Sequence, residues 1–178
     1  MTEVQLLVDR IETPIGKMLV ASDRDGNLRA VDWVDHEARM LRLLALHYGE
    51  NGFRLEPNHN ANSPADAISS YFAGELEAIE SLPVKTMGTP FQRRVWLALR
   101  EIPCGTTVSY AQLARRIGRP SAVRAVGHAN GANPVGVVVP CHRVIGSDGS
   151  LSGYGGGIER KRWLLEHEKQ AHKSCSKG

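Results

Sequence analysis

The stretch Pro140-Cys141-His142-Arg143 places a thiol beside an imidazole and a guanidinium, from which a sulfur nucleophile can be built. The attacking species is the thiolate, and a free cysteine, with a pKa of about 8.5, holds little of it near neutral pH. A lone cysteine is more often a buried packing residue. Here, however, four Arg and Lys residues follow Cys141 within twenty-one positions. This electropositive setting favours a reactive thiolate at Cys141.

The three cysteines, Cys104, Cys141 and Cys175, are an odd number with wide spacing. This spacing fits neither a disulfide framework nor a CxxC zinc site, so we expect free thiols in a reducing compartment and no metal. No run approaches the roughly eighteen apolar residues of a membrane span, and the N-terminus lacks the basic-then-apolar build of a secretion signal. The sequence therefore predicts a cytoplasmic protein with no membrane partner and no cofactor.

Charge is divided unevenly between the two halves of the chain. Residues 1–86 contain 8 Lys and Arg against 14 Asp and Glu, a net charge of −6, whereas residues 87–178 contain 14 against 5, a net charge of +9. A charged surface is usually only a solvated face, but segregation this sharp favours a polyanionic partner for the basic half. Nucleic acid is the expected partner.

The acidic half has the pattern of short strands followed by helices. Strands are predicted at Val4–Ile11, Lys17–Ser22 and Leu28–Val34, and the turn residues between them indicate an antiparallel meander. Helices are predicted at Glu37–Tyr48 and Ser63–Ala73, the second with a serine N-cap and a proline at its first position. We therefore expect this half to be an α+β domain.

A stretch that contains Pro and Gly, Leu82–Gly88, marks the expected domain boundary. We predict an N-terminal α+β domain at residues 1–86, a mainly helical domain at 87–170 and a flexible tail at 171–178. Within the helical domain, a β-rich run, Val135–Val139, precedes the candidate nucleophile.

Capping boxes open two helices of the basic half. The first is Thr89-Pro90-Phe91-Gln92, and the second is Ser109-Tyr110-Ala111-Gln112, whose helix stops at Gly118. A third helix is predicted from Ser121 to Gly131, so two short helices flank a turn, as in a helix-turn-helix. The turn alone would suit an ordinary helical hairpin. Basic residues nearby favour a DNA-binding motif instead, namely Arg115, Arg116, Arg119 and Arg124.

The third predicted helix has a face of small residues. Ala122, Ala125 and Ala129 lie at i, i+3 and i+7, with Gly127 nearby. A helix that reads base edges in the major groove needs long polar side chains, whereas a smooth face suits close approach to a groove floor or a backbone. We therefore expect sequence-independent binding. Packing of the alanines on a neighbouring helix is the alternative that the pattern leaves open.

A longer motif surrounds the nucleophile. It consists of Pro140-Cys141-His142-Arg143-Val144-Ile145, with Asn133-Pro134 before it and Gly153-Tyr154-Gly155-Gly156 after it. This motif resembles the O6-alkylguanine-DNA alkyltransferase family over about residues 88–168, and Tyr71-Phe72-Ala73-Gly74 agrees more loosely with the family's N-terminal domain. The resemblance implies an N-terminal ribonuclease-H-like α+β domain followed by a mainly helical domain with a helix-turn-helix.

The resemblance also implies a role for each residue of a catalytic group. Cys141 accepts the alkyl group, His142 acts on it through a water, and Glu168 orients and charges His142. Such a chain favours the thiolate by holding the proton as imidazolium. Tyr110 is the acid that protonates the departing base. Asn133 bridges backbone groups of the active-site turn and of the second helix of the DNA-binding unit.

The implied substrate is O6-alkylguanine in double-stranded DNA, with O4-alkylthymine as an alternative, bound mainly through the minor groove. The reacting atom is not reachable inside a duplex, so the nucleotide rotates out and Arg124 fills the space. The protein is implied to be a monomer that acts singly or clusters along DNA, and its thioether product is not regenerated. The implied DNA contacts are Arg124, Ser121, Ala122, Ala125, Gly127 and Ala129.

The implied substrate pocket consists of Val144, Tyr154, Gly155 and Gly136. Some members of the family carry proline where this chain has Gly136. Loss of the proline ring widens the pocket, so we expect tolerance of bulkier O6 adducts.

Two other classes of protein share part of this pattern. A thiol hydrolase uses the same Cys, His and acid chemistry, but it needs an oxyanion hole and turns over repeatedly. A non-enzymatic helix-turn-helix regulator needs no cysteine at all. A single transfer per chain would exclude the first class, and loss of activity in Cys141→Ala would exclude the second.

Overall fold

The computed structural model describes residues 2–175 and shows two compact units. The N-terminal unit contains the chain up to Met87 together with Pro134–Val138. The C-terminal unit contains Gly88–Asn133 and residues 139–175. None of the helices between residues 2 and 175 is long and apolar enough to cross a membrane.

A sheet forms the centre of the N-terminal unit. In the described part of the chain its strands are β1 (Val4–Thr13), β2 (Gly16–Ser22), β3 (Leu28–Trp33) and β4 (Phe53–Pro57), in the order β3-β2-β1-β4. Strands β1 to β3 form the predicted antiparallel meander. Strand β4, which the sequence did not predict, pairs in parallel with β1 at the edge of the sheet. It ends in proline, which lacks an N–H, and prolines in sheets are confined to such edges.

Helices α1 (Glu37–Tyr48) and α2 (Pro64–Phe72) pack against this sheet. The predicted N-cap of α2 is confirmed, since the Ser63 hydroxyl accepts a hydrogen bond from the Ala65 N–H at 3.1 Å. An apolar core joins the sheet to α1 and excludes water from both. Its buried members are Leu6, Leu19, Ala21, Ala30, Met40 and Leu44.

The C-terminal unit is mainly helical, as predicted. Its described α-helices are α3 (Pro90–Arg100), α4 (Tyr110–Arg116), α5 (Val123–Gly131) and α6 (Ile158–Cys175). Both predicted capping boxes are present, at the starts of α3 and α4. They satisfy backbone N–H groups that a helix start otherwise leaves without partners.

Helix α6 continues into the segment that the sequence predicts as a flexible tail. Residues 171–175 are helix rather than tail. No Gly or Pro interrupts the chain between 158 and 175, and Gln170 Nε2 donates to Glu166 Oε1 one turn earlier at 2.9 Å. The ring of His172 also lies close to Gly105. The rest of the predicted tail, 176–178, lies outside the described residues.

The run Val135–Val139 forms turns instead of the expected β structure. Only Val135 makes a bridge, to Val31 of β3. The Val138 N–H donates to Gly136 O at 2.8 Å, which closes a γ-turn around Val137. Val137 has a φ of 69°, which β-branched residues rarely adopt and which costs about 1 to 3 kcal/mol. Backbone hydrogen bonds, rather than side-chain type, therefore set the path of this segment.

A short parallel pair in the C-terminal unit joins two distant segments. Strand β5 (Val108–Ser109) pairs with β6 (Val144–Ile145). Strand β5 leads directly into α4, and β6 directly follows the segment Cys141–Arg143. The pairing therefore holds the start of α4, where Tyr110 lies, beside the chain that leaves the candidate nucleophile.

Gly136→Pro is expected to destabilise the N-terminal unit. The Gly136 N–H donates to Val31 O at 3.0 Å, and proline has no N–H with which to make this bond. We expect the free energy of unfolding to fall by about 1 to 3 kcal/mol, measured by urea denaturation. Gly136→Ala keeps the N–H and is the control. Equal losses in the two variants would contradict this explanation.

Candidate active site

The chain presents Cys141 at the end of a tight turn. Pro140 has φ −81° and ψ 65°, and the Cys141 N–H donates to Val139 O at 2.8 Å, which together define an inverse γ-turn. Proline suits this turn because its ring holds φ at about −65°. A 3-10 turn, Cys141–Arg143, follows directly. Cys141 is 6% exposed, so it lies at the edge of the interior.

Two buried asparagine side chains hold the backbone of this turn. Asn133 Nδ2 donates to Val139 O at 2.8 Å, and Asn130 Nδ2 donates to Cys141 O at 3.3 Å. The family resemblance implies that Asn133 bridges backbone groups, and the structure places its amide on the active-site turn. Sequence reasoning missed Asn130, which lies on α5. These two hydrogen bonds hold the backbone of the candidate nucleophile at Val139 O and at Cys141 O.

His142 and Glu168 lie in contact although they are 26 residues apart in sequence. His142 Nε2 is 2.7 Å from Glu168 Oε1, and both residues are 0% exposed. An ionised carboxylate can only accept, so Nε2 carries the proton in this bond. His142 Nδ1 is buried and has no hydrogen-bond partner among the described residues. It is therefore the nitrogen that is free to accept a proton.

Arg143 binds the same carboxylate with its guanidinium. Its Nε is 3.0 Å from Glu168 Oε2 and its Nη2 is 2.9 Å from Oε1, while Nη1 donates to Ile102 O at 2.7 Å. This bidentate geometry makes the ion pair between arginine and carboxylate stronger than a single hydrogen bond would. In the sequence, Arg143 is only one of several nearby positive charges. Its pairing depends on helix α6, which the motif alone does not position.

The surroundings of Glu168 keep its carboxyl group ionised. Burial alone would raise the pKa of this carboxyl, but the hydrogen bond from His142 and the ion pair with Arg143 outweigh it, and a positive charge on His142, when that imidazole is protonated, lowers the pKa further. The net result is a pKa far below the ordinary value for glutamate. At neutral pH the site therefore contains a permanent negative charge that orients the imidazole.

Tyr110 is the first residue of α4 and is half-buried. Its hydroxyl donates to Ser152 O at 3.1 Å, and its ring lies beside Gly127 of α5. Burial raises the pKa of this phenol, hydrogen bonds with Ser152 and Asn130 partly oppose that shift, and a negative charge at Cys141 adds to it. The net shift is upward, so Tyr110 holds its proton firmly in the free protein.

Lys161 is a buried cation of α6 that sequence reasoning did not single out. It is 0% exposed, and its Nζ donates to Val144 O at 2.6 Å and to Ser152 O at 3.0 Å. Burial lowers the pKa of Lys161, whereas a negative charge at Cys141 raises it. This electrostatic interaction is mutual, so a cation at Lys161 favours a thiolate at Cys141.

The residues expected to contact DNA are divided between surface and interior. Those that face the surface are Ser121, Arg124 and Ala125, with Ala122 and Gly127 half-buried. Ala129 is only 3% exposed, and its carbonyl accepts a hydrogen bond from Trp96 Nε1 at 2.8 Å. At Ala129 the packing alternative therefore holds, and the small exposed face lies at the start of α5.

The residues expected to line the pocket are also placed unequally. Val144 is fully buried, and Tyr154 and Gly155 are half-buried in the chain between β6 and α6. Gly136 belongs to the N-terminal unit, where its N–H donates a hydrogen bond to Val31 O.

Among residues 2–175, no group of three or more His, Cys, Asp or Glu side chains could hold a metal ion.

Comparisons with known proteins match both units to one family. Residues 7–86 match the ribonuclease-like domain of 6-O-methylguanine DNA methyltransferase, and residues 90–170 match its DNA-binding domain. A methylated-DNA--protein-cysteine methyltransferase of Shigella flexneri is 50% identical over 165 residues, which cover 93% of this chain and 96% of that protein. The chain therefore belongs to the 6-O-methylguanine DNA methyltransferase family.

Solved structures agree with this assignment. The O6-methylguanine methyltransferase of Mycobacterium tuberculosis has a TM-score of 0.75 and 40% identity, covering 93% of this chain and 94% of that one. The M. tuberculosis OGT solved in complex with DNA has a TM-score of 0.75 and 38% identity over 94% of each chain. The predicted family and the predicted α+β fold with a helical DNA-binding domain are both confirmed.

Glu168→Gln is expected to destabilise the protein strongly, because it leaves the buried Arg143 and His142 without their negative partner. Removing one member of a buried ion pair costs about 3 to 5 kcal/mol in the free energy of unfolding. Glu166→Gln, at an exposed position of the same helix, is the control and should change it by less than about 0.5 kcal/mol. Chemical denaturation at neutral pH measures both. Similar effects of the two substitutions would refute the buried network.

The difference in stability between wild type and Glu168→Gln is expected to depend on pH. The pKa of Glu168 is lowered in the folded state from an ordinary value of 4.5, so its stabilising contribution is complete above that value and is lost as the pH falls. Glutamine does not titrate. The stability difference between wild type and Glu168→Gln should therefore shrink steadily as the pH drops below 4.5. A difference that stays constant down to acid unfolding would be inconsistent with a depressed pKa.

Proposed function

We propose that this chain repairs alkylated DNA by moving an alkyl group from O6 of guanine onto Cys141. The observation that carries the proposal is that His142, the residue directly after Cys141, has its Nε2 at 2.7 Å from Glu168 Oε1 in the protein interior. It leaves His142 Nδ1 available for a proton. The substrate is supported by relatives named methylated-DNA--protein-cysteine methyltransferase and by a similar structure solved with DNA.

The reaction starts with the thiol proton of Cys141. His142 Nδ1 takes this proton through a water, while Nε2 stays bonded to Glu168, so the resulting imidazolium is stabilised by a carboxylate. The buried cation of Lys161 favours the thiolate that remains. The sulfur then attacks the alkyl carbon in line. A carbon–sulfur bond forms, the carbon–O6 bond breaks, and its electron pair stays with the guanine.

The departing guanine needs a proton, which Tyr110 supplies. A negative charge at Cys141 raises the pKa of Tyr110, and this contribution disappears when the thiolate becomes a neutral thioether. Tyr110 therefore becomes a stronger acid as negative charge develops on the base. The proton held by His142 then restores the phenol. The net change is that the thiol proton ends on guanine.

DNA binding is assigned to α4, α5 and the turn between them, acting as a helix-turn-helix. The chain from residue 87 onward has a net charge of +9, and Ser121, Arg124 and Ala125 are exposed at the start of α5. The small residues allow close approach to the minor groove. The damaged base rotates out of the duplex to reach the sulfur, and Arg124 occupies the space that it leaves.

Each molecule acts once. The product at Cys141 is a thioether, which carries no easily expelled group and cannot be reversed by thiol exchange, a reaction that needs a disulfide. Sustained turnover would require a second nucleophile to remove the alkyl group from sulfur. The number of repair events is therefore limited by the number of protein chains.

Intact-mass measurement with excess duplex containing O6-methylguanine tests this stoichiometry. We expect the mass to rise by one methyl group per chain and then to stop changing, with the methyl group on the peptide that contains Cys141. Cys141→Ser should gain none, whereas Cys104→Ala should behave as wild type because Cys104 is not assigned a part in the reaction. Repeated turnover, as in a thiol hydrolase, or methylation of another residue would exclude the proposal.

The variant Arg124→Ala tests base extrusion separately from the chemical step of alkyl transfer. Extruding a base costs a few kcal/mol, so losing the side chain that fills the gap should slow transfer from duplex DNA by at least about tenfold. Transfer from a free O6-alkylguanine base requires no extrusion and should change by less than about threefold. Single-turnover rates with the two substrates provide the comparison. Equal slowing on both would assign Arg124 to the chemical step or to folding instead.

A further inference from the structure

Asn130 has one half of its side-chain amide engaged and the other half without a partner. The residue lies on α5 and is 2% exposed. Its Nδ2 donates to Cys141 O at 3.3 Å, whereas its Oδ1 has no hydrogen-bond partner among the described residues. Buried polar atoms in native proteins are nearly always paired, so an exception calls for an explanation.

The orientation of this amide is fixed by its neighbours. A backbone carbonyl can only accept, so the Asn130 edge that faces Cys141 O must be the NH₂ group. The Tyr110 hydroxyl, which is also within hydrogen-bonding reach of Asn130, has a single proton, which it donates to Ser152 O at 3.1 Å. With this proton donated to Ser152, Oδ1 accepts a hydrogen bond from neither neighbour and is an unpaired buried acceptor.

The position of this acceptor indicates what the donor is. Asn130 contacts Cys141 and Tyr110, the residues that the proposed function places at the alkyl group and at the departing base. A base that reacts between these two residues brings its own polar edge close to Asn130. An N–H on that edge would satisfy Oδ1.

We propose that Asn130 Oδ1 is a specificity-determining acceptor for the exocyclic amine of O6-alkylguanine, an inference that rests on the proposed function. Alkylation at O6 removes the proton from ring nitrogen N1, so the exocyclic amine is the remaining N–H donor of the base. O4-alkylthymine has no N–H donor at all. A buried acceptor rejects a ligand that lacks the matching donor, because the acceptor then stays unpaired. Asn130 therefore selects guanine adducts over thymine adducts.

A double-mutant cycle across the protein and the substrate tests this pairing. One change is Asn130→Leu, which keeps the approximate size but removes the acceptor. The other replaces O6-methylguanine in the duplex with O6-methylhypoxanthine, which lacks only the exocyclic amine. The measured quantity is the second-order rate constant of methyl transfer to Cys141 for each of the four combinations.

We expect removal of the amine to slow wild type by about tenfold or more, and to slow Asn130→Leu by less than about threefold. The preference for O6-methylguanine over O4-methylthymine should also fall by about tenfold in the variant. Each comparison is a ratio within one protein preparation, so partial misfolding cancels. Asn130→Met is a second apolar variant should Asn130→Leu fail to fold.

Two results would overturn the inference. One is an equal amine-removal penalty in wild type and in both variants, and the other is a wild type that is indifferent to the amine. Failure of the proposed function would look different, because wild type would then transfer no methyl group from any of the three substrates.

Discussion

The buried carboxylate of Glu168 is the interaction on which the rest of the active site depends. Removing charged groups from water costs several kcal/mol per ion, and three hydrogen bonds from His142 and Arg143 offset that cost here. These two partners are consecutive residues directly after Cys141. One carboxylate on α6 therefore orients the imidazole and also fixes the backbone that carries the nucleophile.

The two side chains whose pKa responds to charge at Cys141 share one hydrogen-bond acceptor. Tyr110 and Lys161 both donate to the carbonyl of Ser152, at 3.1 Å and 3.0 Å, and a negative charge at Cys141 raises the pKa of both. The β5–β6 pairing holds the start of α4 next to this network. In the proposed reaction, loss of negative charge at the sulfur would therefore lower the pKa of Tyr110, the proposed proton donor.

Features with local causes could be predicted from the sequence, whereas features set by distant contacts could not. The capping boxes were predictable because all their partners lie within one turn. The β structure expected at Val135–Val139 was wrong because the path of this segment depends on backbone hydrogen bonds. Lys161, Leu164 and Glu168 lie at i, i+3 and i+7 and are all buried. Two of these three residues are charged, so the sequence pattern alone does not mark this face of α6 as buried. Nothing local marks Asn130, since its role depends on Cys141, 11 residues away.

The most direct test of the central interaction is ¹⁵N NMR of the histidine side chains in the DNA-free protein near neutral pH, with the His142 signals assigned by substitution. If an ionised Glu168 accepts from His142, the Nε2 resonance should show a bonded proton and the Nδ1 resonance should be that of an unprotonated acceptor. The reverse tautomer, with the proton on Nδ1 and an unprotonated Nε2, would contradict the arrangement that is proposed to activate Cys141.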